Sequence, residues 1–243
     1  WLQAAEALEQ ARVIEPHNPL LAWEAGLVYE QMVGIVDSAL RIPLVAELAR
    51  GEVEAPATPI DTPFCQQTPQ SCYMGETSFT LPFAGLTGPP AEDTPTLFLH
   101  PPATLRKELT IPPEQSALTF WLGLDSHAAD WNSDGATFHV WIEPAGAPAE
   151  IVYEHALDRT LARQGWVAGW ADLSPWAGQT VILVLGTGPG PAGDTTSDWY
   201  GWGNVSLTTV EAARYLAWAP AARQWHAWQS DDFDADHFLH KGD

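Results

Sequence analysis

The chain has 243 residues, 46% of them hydrophobic, enough for one sizeable domain and an accessory element. Its 31 acidic residues against 10 basic ones give a formal net charge of -21. That field repels phosphate backbones and anionic bilayers, which argues against nucleic acid and membrane surfaces as partners and leaves cations and neutral glycans acceptable.

Residues 1–55 read as helical. Ala4, Leu8, Ala11 and Pro16 have the spacing of the second helix of a tetratricopeptide repeat, and Ala25, Gly26 and Tyr29 fall where the next repeat carries Leu, Gly and Tyr. The segment therefore resembles roughly one and a half such repeats, short of the three or so that stand alone. Pro43 falls inside what would be the next helix, and a generic helical hairpin packed on the following domain fits the same residues. Because the chain opens on Trp1 in mid-repeat, with no signal peptide and no run of about 18 apolar residues, it is expected to be a piece of a longer protein.

Residues 51–75 form a Pro/Thr/Glu-rich connector holding Cys65 and Cys72, the two cysteines of the chain. In an exported protein such a pair on a short loop reads as a local disulfide; four zinc ligands are not at hand. Strand-like runs follow at 77–83, 96–99, 105–111, 117–124, 136–143, 150–154, 165–173, 180–186 and 199–207. Short strands separated by Gly/Pro turns predict an antiparallel β-sandwich spanning 56–208. The run at 136–143 alternates, with Phe138, Val140 and Ile142 on one face and His139 and Trp141 on the other. From 209 to 243 a helix interrupted by Pro220 leads into an acidic tail. Trp218, Trp225 and Trp228 are expected to pack with Trp1 and Trp23 of the N-terminal helices.

Two segments carry a further likeness. The first is Leu118 to Gly146, with Gly123, Asp125, Ser133, Asp134, Gly135, Phe138 and Val140. The second is Leu161 to Leu207, with Trp170, Asp172, Leu173, Ser174, Gly178, Asp198, Trp199, Gly201 and Trp202. Together they resemble NPCBM-type modules, carbohydrate-binding β-sandwiches of the galactose-binding-like jelly-roll fold found on bacterial surface and sugar-active proteins. The resemblance implies a non-catalytic module that binds polysaccharide or glycoconjugate in the extracytoplasmic part of an envelope protein, an accessory domain of a larger sugar-transferring membrane protein being one setting.

The chain holds thirteen Trp, and rings left at a surface can stack on sugar. The candidate ligand-binding residues are Trp131, Trp141, Trp199, Tyr200 and Trp202, with Asp134, Asp198 and Asn204 to bond hydroxyls. Alternation places Trp199 on one face of its strand and Tyr200 and Trp202 on the other, so one set sits in the core unless the strand is covered on both sides, in which case both do. Asp125, Asp130, Asn132 and Asp194 are oxygen donors on two loops, a donor type suited to structural Ca²⁺, which takes about six to eight oxygens; Asx turns use the same residues without metal. Asp232, Asp234 and Asp236 open like an EF-hand loop, but His237 stands where that loop needs Gly. Gly186 to Gly193 lacks the Lys and helix of a phosphate loop, Asn204-Val205-Ser206 is a formal glycosylation acceptor, and no nucleophile elbow or His pair at ligand spacing marks an enzyme. Two readings remain: a sugar-binding module, and a scaffold whose helices bind a protein partner while the sandwich is structural. Exposed rings beside polar groups favour the first, an exposed apolar groove on the helices the second.

Overall fold

In the computed structural model the described residues are 1–15, 19–58, 60, 62, 72–83, 92–128 and 132–216. Helices α1 (Leu2–Ile14) and α2 (Pro19–Ser38) come first, followed by β1 (Ile42–Pro43), the single turn α3 (Val45–Leu48) and β2 (Glu52–Glu54). Nine longer strands follow: β3 (Met74–Leu81), β4 (Glu92–Leu99), β5 (Ala103–Thr110), β6 (Ala117–Leu124), β7 (Gly135–Pro144), β8 (Glu150–Asp158), β9 (Val167–Asp172), β10 (Thr180–Pro189) and β11 (Tyr200–Thr208). A short α4 (Arg159–Ala162) separates β8 from β9, and α5 (Val210–Tyr215) follows β11. All nine strands expected from the sequence are present. Cys65, Asp130, Trp131, Trp218, Trp225, Trp228 and the acidic tail lie outside the described residues, as does the side chain of Trp23.

The strands make two antiparallel sheets. The first runs β3-β4-β11-β6-β9, with β1 also paired to β11; the second runs β2-β5-β10-β7-β8. From β4 to β11 the chain passes between the sheets in jelly-roll order, so the fold is an antiparallel jelly-roll β-sandwich with flanking helices. The central strands are the apolar ones. β6 reads Ala-Leu-Thr-Phe-Trp-Leu-Gly-Leu and is buried along nearly its whole length, as is β11. A strand without polar alternation needs cover on both faces. Between the sheets, Leu105, Phe120, Leu122, Phe138, Val140, Leu183, Leu185, Tyr200 and Trp202 form the core. Outside the first sheet a second layer of Phe79, Leu81, Phe98 and Trp166 closes the other face.

Segment 42–54, expected in the helical unit, belongs to the sandwich. Ile42 and Pro43 pair with Leu207 and Ser206 of β11, and Glu52 to Glu54 pair with Arg106 to Thr104 of β5. Pro43 explains the departure: it cannot continue a helix, and in a two-residue edge strand its missing N–H costs little. The helices pack on the first sheet. Val36 of α2 and Leu216 after α5 are buried together beside Trp121 and Ala168, and Tyr215 reaches the α1–α2 cluster of Ala5, Ala25, Val28 and Met32. The N- and C-terminal helical segments therefore meet as expected, except that Trp1 is 58% exposed. Thr209 caps α5, its hydroxyl accepting from the Ala212 N–H at 3.2 Å.

Candidate functional site: a tryptophan groove on the second sheet

The outward face of the second sheet is set by register. His139 stands opposite Gly186 and Trp141 opposite Val184 of β10, while Thr104 and Arg106 of β5 face the same two residues from the other side. Their neighbours Phe138, Val140, Leu183 and Leu185 point into the core. Trp141 leans diagonally across β10 to Gly186, where a Cβ would stand 2.5 Å from its Cζ3; only glycine leaves room for the indole there. The His139 ring stacks on the indole, centroids 5.1 Å apart at an interplanar angle of 15°, and His139 Nε2 lies 3.2 Å from Glu154 Oε2 on β8. The rings form one side of a groove of about 570 Å³, whose other lining includes Glu54, Pro56, Pro102, Thr104 and Gly188. Arg106, beside it, is bound two-pronged by the Glu143 carboxylate, with Nη1 to Oε1 at 2.7 Å and Nη2 to Oε2. The groove thus presents an aromatic wall, carboxylate and hydroxyl oxygens, and a cation already paired.

Among the described residues expected to bind ligand, Trp141 alone lies in this groove. Tyr200 and Trp202 are fully buried and correct the expectation of open rings on their strand. Trp202 packs edge-on against Phe120 and Phe138 at 4.9 and 5.1 Å, and its indole N–H donates to Thr187 Oγ1 at 3.1 Å. β11 is central and covered on both sides, which is why neither face is free. Trp199 is half-buried, edge-on to Phe98 at 6.3 Å. Asn204 sits in the β-bulge of β11 with φ of 49°, a left-handed conformation that Asn tolerates well, and its carbonyl accepts from the Ser206 hydroxyl.

Asp134 and Asp198 belong to a buried polar knot at one end of the sandwich. Ser133 Oγ donates to Asp198 Oδ1 at 2.6 Å, stands 3.0 Å from the Tyr200 hydroxyl and accepts from the Gly135 N–H at 3.2 Å. Asp134 Oδ2 accepts from the Ala192 N–H at 2.5 Å. Asp134 Oδ1 and Asp198 Oδ2 are buried with no hydrogen-bond partner among the described residues. Burial pushes the Asp198 carboxyl up to about 7, opposed by the Ser133 hydroxyl and reinforced by the charges of Asp134 and Asp194. Burial likewise pushes the Tyr200 phenol up to about 12. The knot ties the 133–134 loop to the strand-connecting segment 190–198.

Of the expected calcium donors, the three that are described each accept a hydrogen bond from the protein itself. Asp125 Oδ1 accepts from its own turn, the N–H of His127, at 2.8 Å; Asp194 Oδ1 accepts from the Thr196 N–H at 2.6 Å; Asn132 Oδ1 accepts from Arg159 Nη1 at 3.4 Å. Among the described residues no three His, Cys, Asp or Glu side chains are gathered as a metal site. Cys72 is buried and is not a free thiol. Among the described residues no helix is long and apolar enough to cross a membrane.

No family model matches the chain. An uncharacterized protein of Archaeoglobus fulgidus is 31% identical over 121 residues, an alignment that takes in 46% of this chain. The chain covers only 30% of that relative's length. Among solved structures, a CBM51-2 module with GlcNAc and INT domains from Clostridium perfringens ZmpB aligns over 70% of this chain and 32% of its own, at 12% identity and a TM-score of 0.44. A CBM51 module from Clostridium perfringens GH95 in complex with methyl-galactose aligns over 70% of this chain and 100% of its own, at 15% identity and a TM-score of 0.43. The CsCBM6-3 module of Clostridium stercorarium in complex with cellobiose gives 10% identity and a TM-score of 0.35, over 70% of this chain and 92% of its own. The fold assignment stands on the order of the two antiparallel sheets.

Proposed function

We propose that this chain is a non-catalytic carbohydrate-binding module that holds a neutral sugar in the groove beside Trp141. The observation that carries the reading is a half-buried indole, propped by His139 and bedded on Gly186, standing in an open groove among Glu54 and Thr104. Such a wall offers an apolar ring edge and face to the C–H side of a pyranose, while the oxygens accept from its hydroxyls. The Glu54 carboxylate in the groove wall and the overall charge of -21 disfavour acidic sugars. The position of such a module in the cell belongs to the same proposal: an extracytoplasmic location, with Cys65 and Cys72 bridged. Intact mass with and without reductant tests the bridge, and two free thiols under air would remove that support for export.

Isothermal titration calorimetry against a panel of neutral polysaccharides and glycoconjugates tests the binding. Heat with the native protein and at least about a tenfold loss in Trp141→Ala, about 1.4 kcal/mol, is the expected result. Binding unchanged in that variant would move the site elsewhere.

A second reading is favoured by a different observation. Ile14, Leu20 and Leu27 on the helices are 80%, 61% and 48% exposed, and Trp1 at the start of α1 is 58% exposed. Large apolar groups left in water on one helical unit suit a protein partner. The two readings separate cleanly, because Leu20→Glu with Leu27→Glu should abolish a protein contact and leave sugar binding untouched.

A further inference from the structure

Along the outer face of the second sheet, past Trp141, lies a second depression of about 320 Å³. Its lining includes Glu108, Glu143, Pro144, Ala147, Thr180 and Ile182. The register relates it to the first groove. The row His139–Gly186–Thr104 crosses the groove, and the row Glu143–Ile182–Glu108 crosses the depression; on all three strands they are four residues apart. At the rise of an extended strand this is a run of about 13 Å along β7 and β10. The row between them holds Trp141, Val184 and Arg106, and the Arg106 guanidinium is tied down onto Glu143.

We propose that the groove and the depression are two stations of one open-ended site, which holds an extended, uncharged polysaccharide chain lying along β7 and β10. This rests on the sugar-binding reading above and says which sugars it concerns. Three observations support it. The two hollows lie on a common line, with the Trp141 indole in the wall of the first and its row lying between them. The far end is low-walled: residues 145–149 read Ala-Gly-Ala-Pro-Ala, and Gly146 has no atom within 4 Å of where its Cβ would stand. A closed end would read a chain terminus, whereas an open one lets a polymer run on. The charges select against polyanions. Among the described outward-facing strand residues of this sheet Arg106 alone carries a fixed positive charge, and Glu143 already pairs it, while Glu54 marks the first station and Glu108 the second. Those carboxylates accept hydroxyl donors and repel uronates.

The test is calorimetry on the whole chain with cello-, xylo- and galacto-oligosaccharides from monosaccharide to hexasaccharide, and with oligogalacturonides of matched length. The expected result is an affinity that climbs at least about tenfold with length in one neutral series, about 1.4 kcal/mol, with no measurable heat from the uronates. Ala147→Trp, an exposed turn position, should fill the second station and erase the gain with length. Glu108→Gln should keep the gain and weaken the discrimination against uronates. Binding that is indifferent to chain length in the native protein overturns the two-station site and leaves the sugar reading standing. Tighter binding of oligogalacturonides than of neutral chains overturns the charge argument and with it the proposal. No heat with any neutral sugar removes both the reading and the inference drawn from it.

Discussion

Two tryptophans of this sandwich lie over glycines and end in opposite environments. Trp166 covers Gly123 and Gly203 on the outer face of the first sheet, where added Cβ atoms would each come within 2.6 Å of its ring, and it is 2% exposed. Trp141 leans over Gly186 on the outer face of the second sheet, equally close, and keeps part of its ring in solvent. The local device is the same: a residue without a side chain gives a large ring a bed on the pleat. What differs is the layer above. Phe79 stacks on Trp166 at 5.9 Å and Trp121 tilts against it at 6.1 Å, with α2 and α5 reaching Trp121 beyond. Over Trp141 the stacked partner is a histidine, and a groove stays open beside it. A ring under cover holds the fold; a ring beside a groove is free to hold something else.

That contrast breaks first under truncation. Trp166→Ala should cost about 3–5 kcal/mol in urea unfolding, the range for emptying a buried aromatic site, and Trp141→Ala about 1 kcal/mol or less. Comparable losses in the two variants would mean that Trp141 is a structural ring as well.

The buried polar knot sets a second expectation. Asp198 is raised from the ordinary 3.8 to about 7, so the folded protein keeps this proton after the unfolded chain has released it. The stability it contributes is complete below about pH 4, falls as pH rises through the window from 3.8 to about 7, and is level above it. Asp198→Asn keeps an oxygen for the Ser133 hydroxyl but cannot ionise. The variant should flatten the melting temperature between about pH 4 and pH 8 and melt higher than the native chain at the alkaline end, by an amount smaller than the Trp166→Ala loss. A native profile already flat in that window would show Asp198 ionised throughout.

Gly186→Ala sharpens the comparison at smaller cost. Its methyl would meet the indole at 2.5 Å, but a half-open ring can swing away, so about 1 kcal/mol of stability and a shift in tryptophan fluorescence are expected, with weaker sugar binding. Arg106→Met should matter least to folding. The ion pair to Glu143 is partly exposed, 37% and 26% for the two side chains, and such pairs contribute about 0.2–1 kcal/mol. Titration by urea at low and high salt would read it.

The legible part of this chain was its strands. Alternation in 136–143 placed His139 and Trp141 on the outside correctly, because β7 has one dry face and one wet one. The same logic could not decide Trp199 to Trp202: β11 is central and covered on both sides, and no local pattern records a covering layer contributed by Phe79, Trp166 and the helices. Asp125 and Asp194 resembled metal ligands because turn-forming and metal-binding carboxylates draw on the same residues, and only geometry shows that each accepts from an N–H two positions on. Nothing in the sequence marks Glu54 and Gly186 as partners of one groove. They reach the groove from β2 and β10, 132 positions apart, and a glycine's role as a bed for a distant ring leaves no trace beside it.

The segment 42–54 has a consequence for any attempt to isolate the sandwich. Its two short strands fasten to both sheets, β1 to β11 and β2 to β5, within a dozen residues. A shortened chain that begins at residue 56 keeps every strand expected from the sequence, yet it leaves one flank of β5 at 104–106 with bare N–H and C=O groups. Such an edge recruits a second copy of itself. It would also lose Glu54 from the groove wall. A minimal sandwich cut at its apparent boundary would therefore self-associate through β5 and bind sugar poorly, and both defects would trace to the three residues of β2.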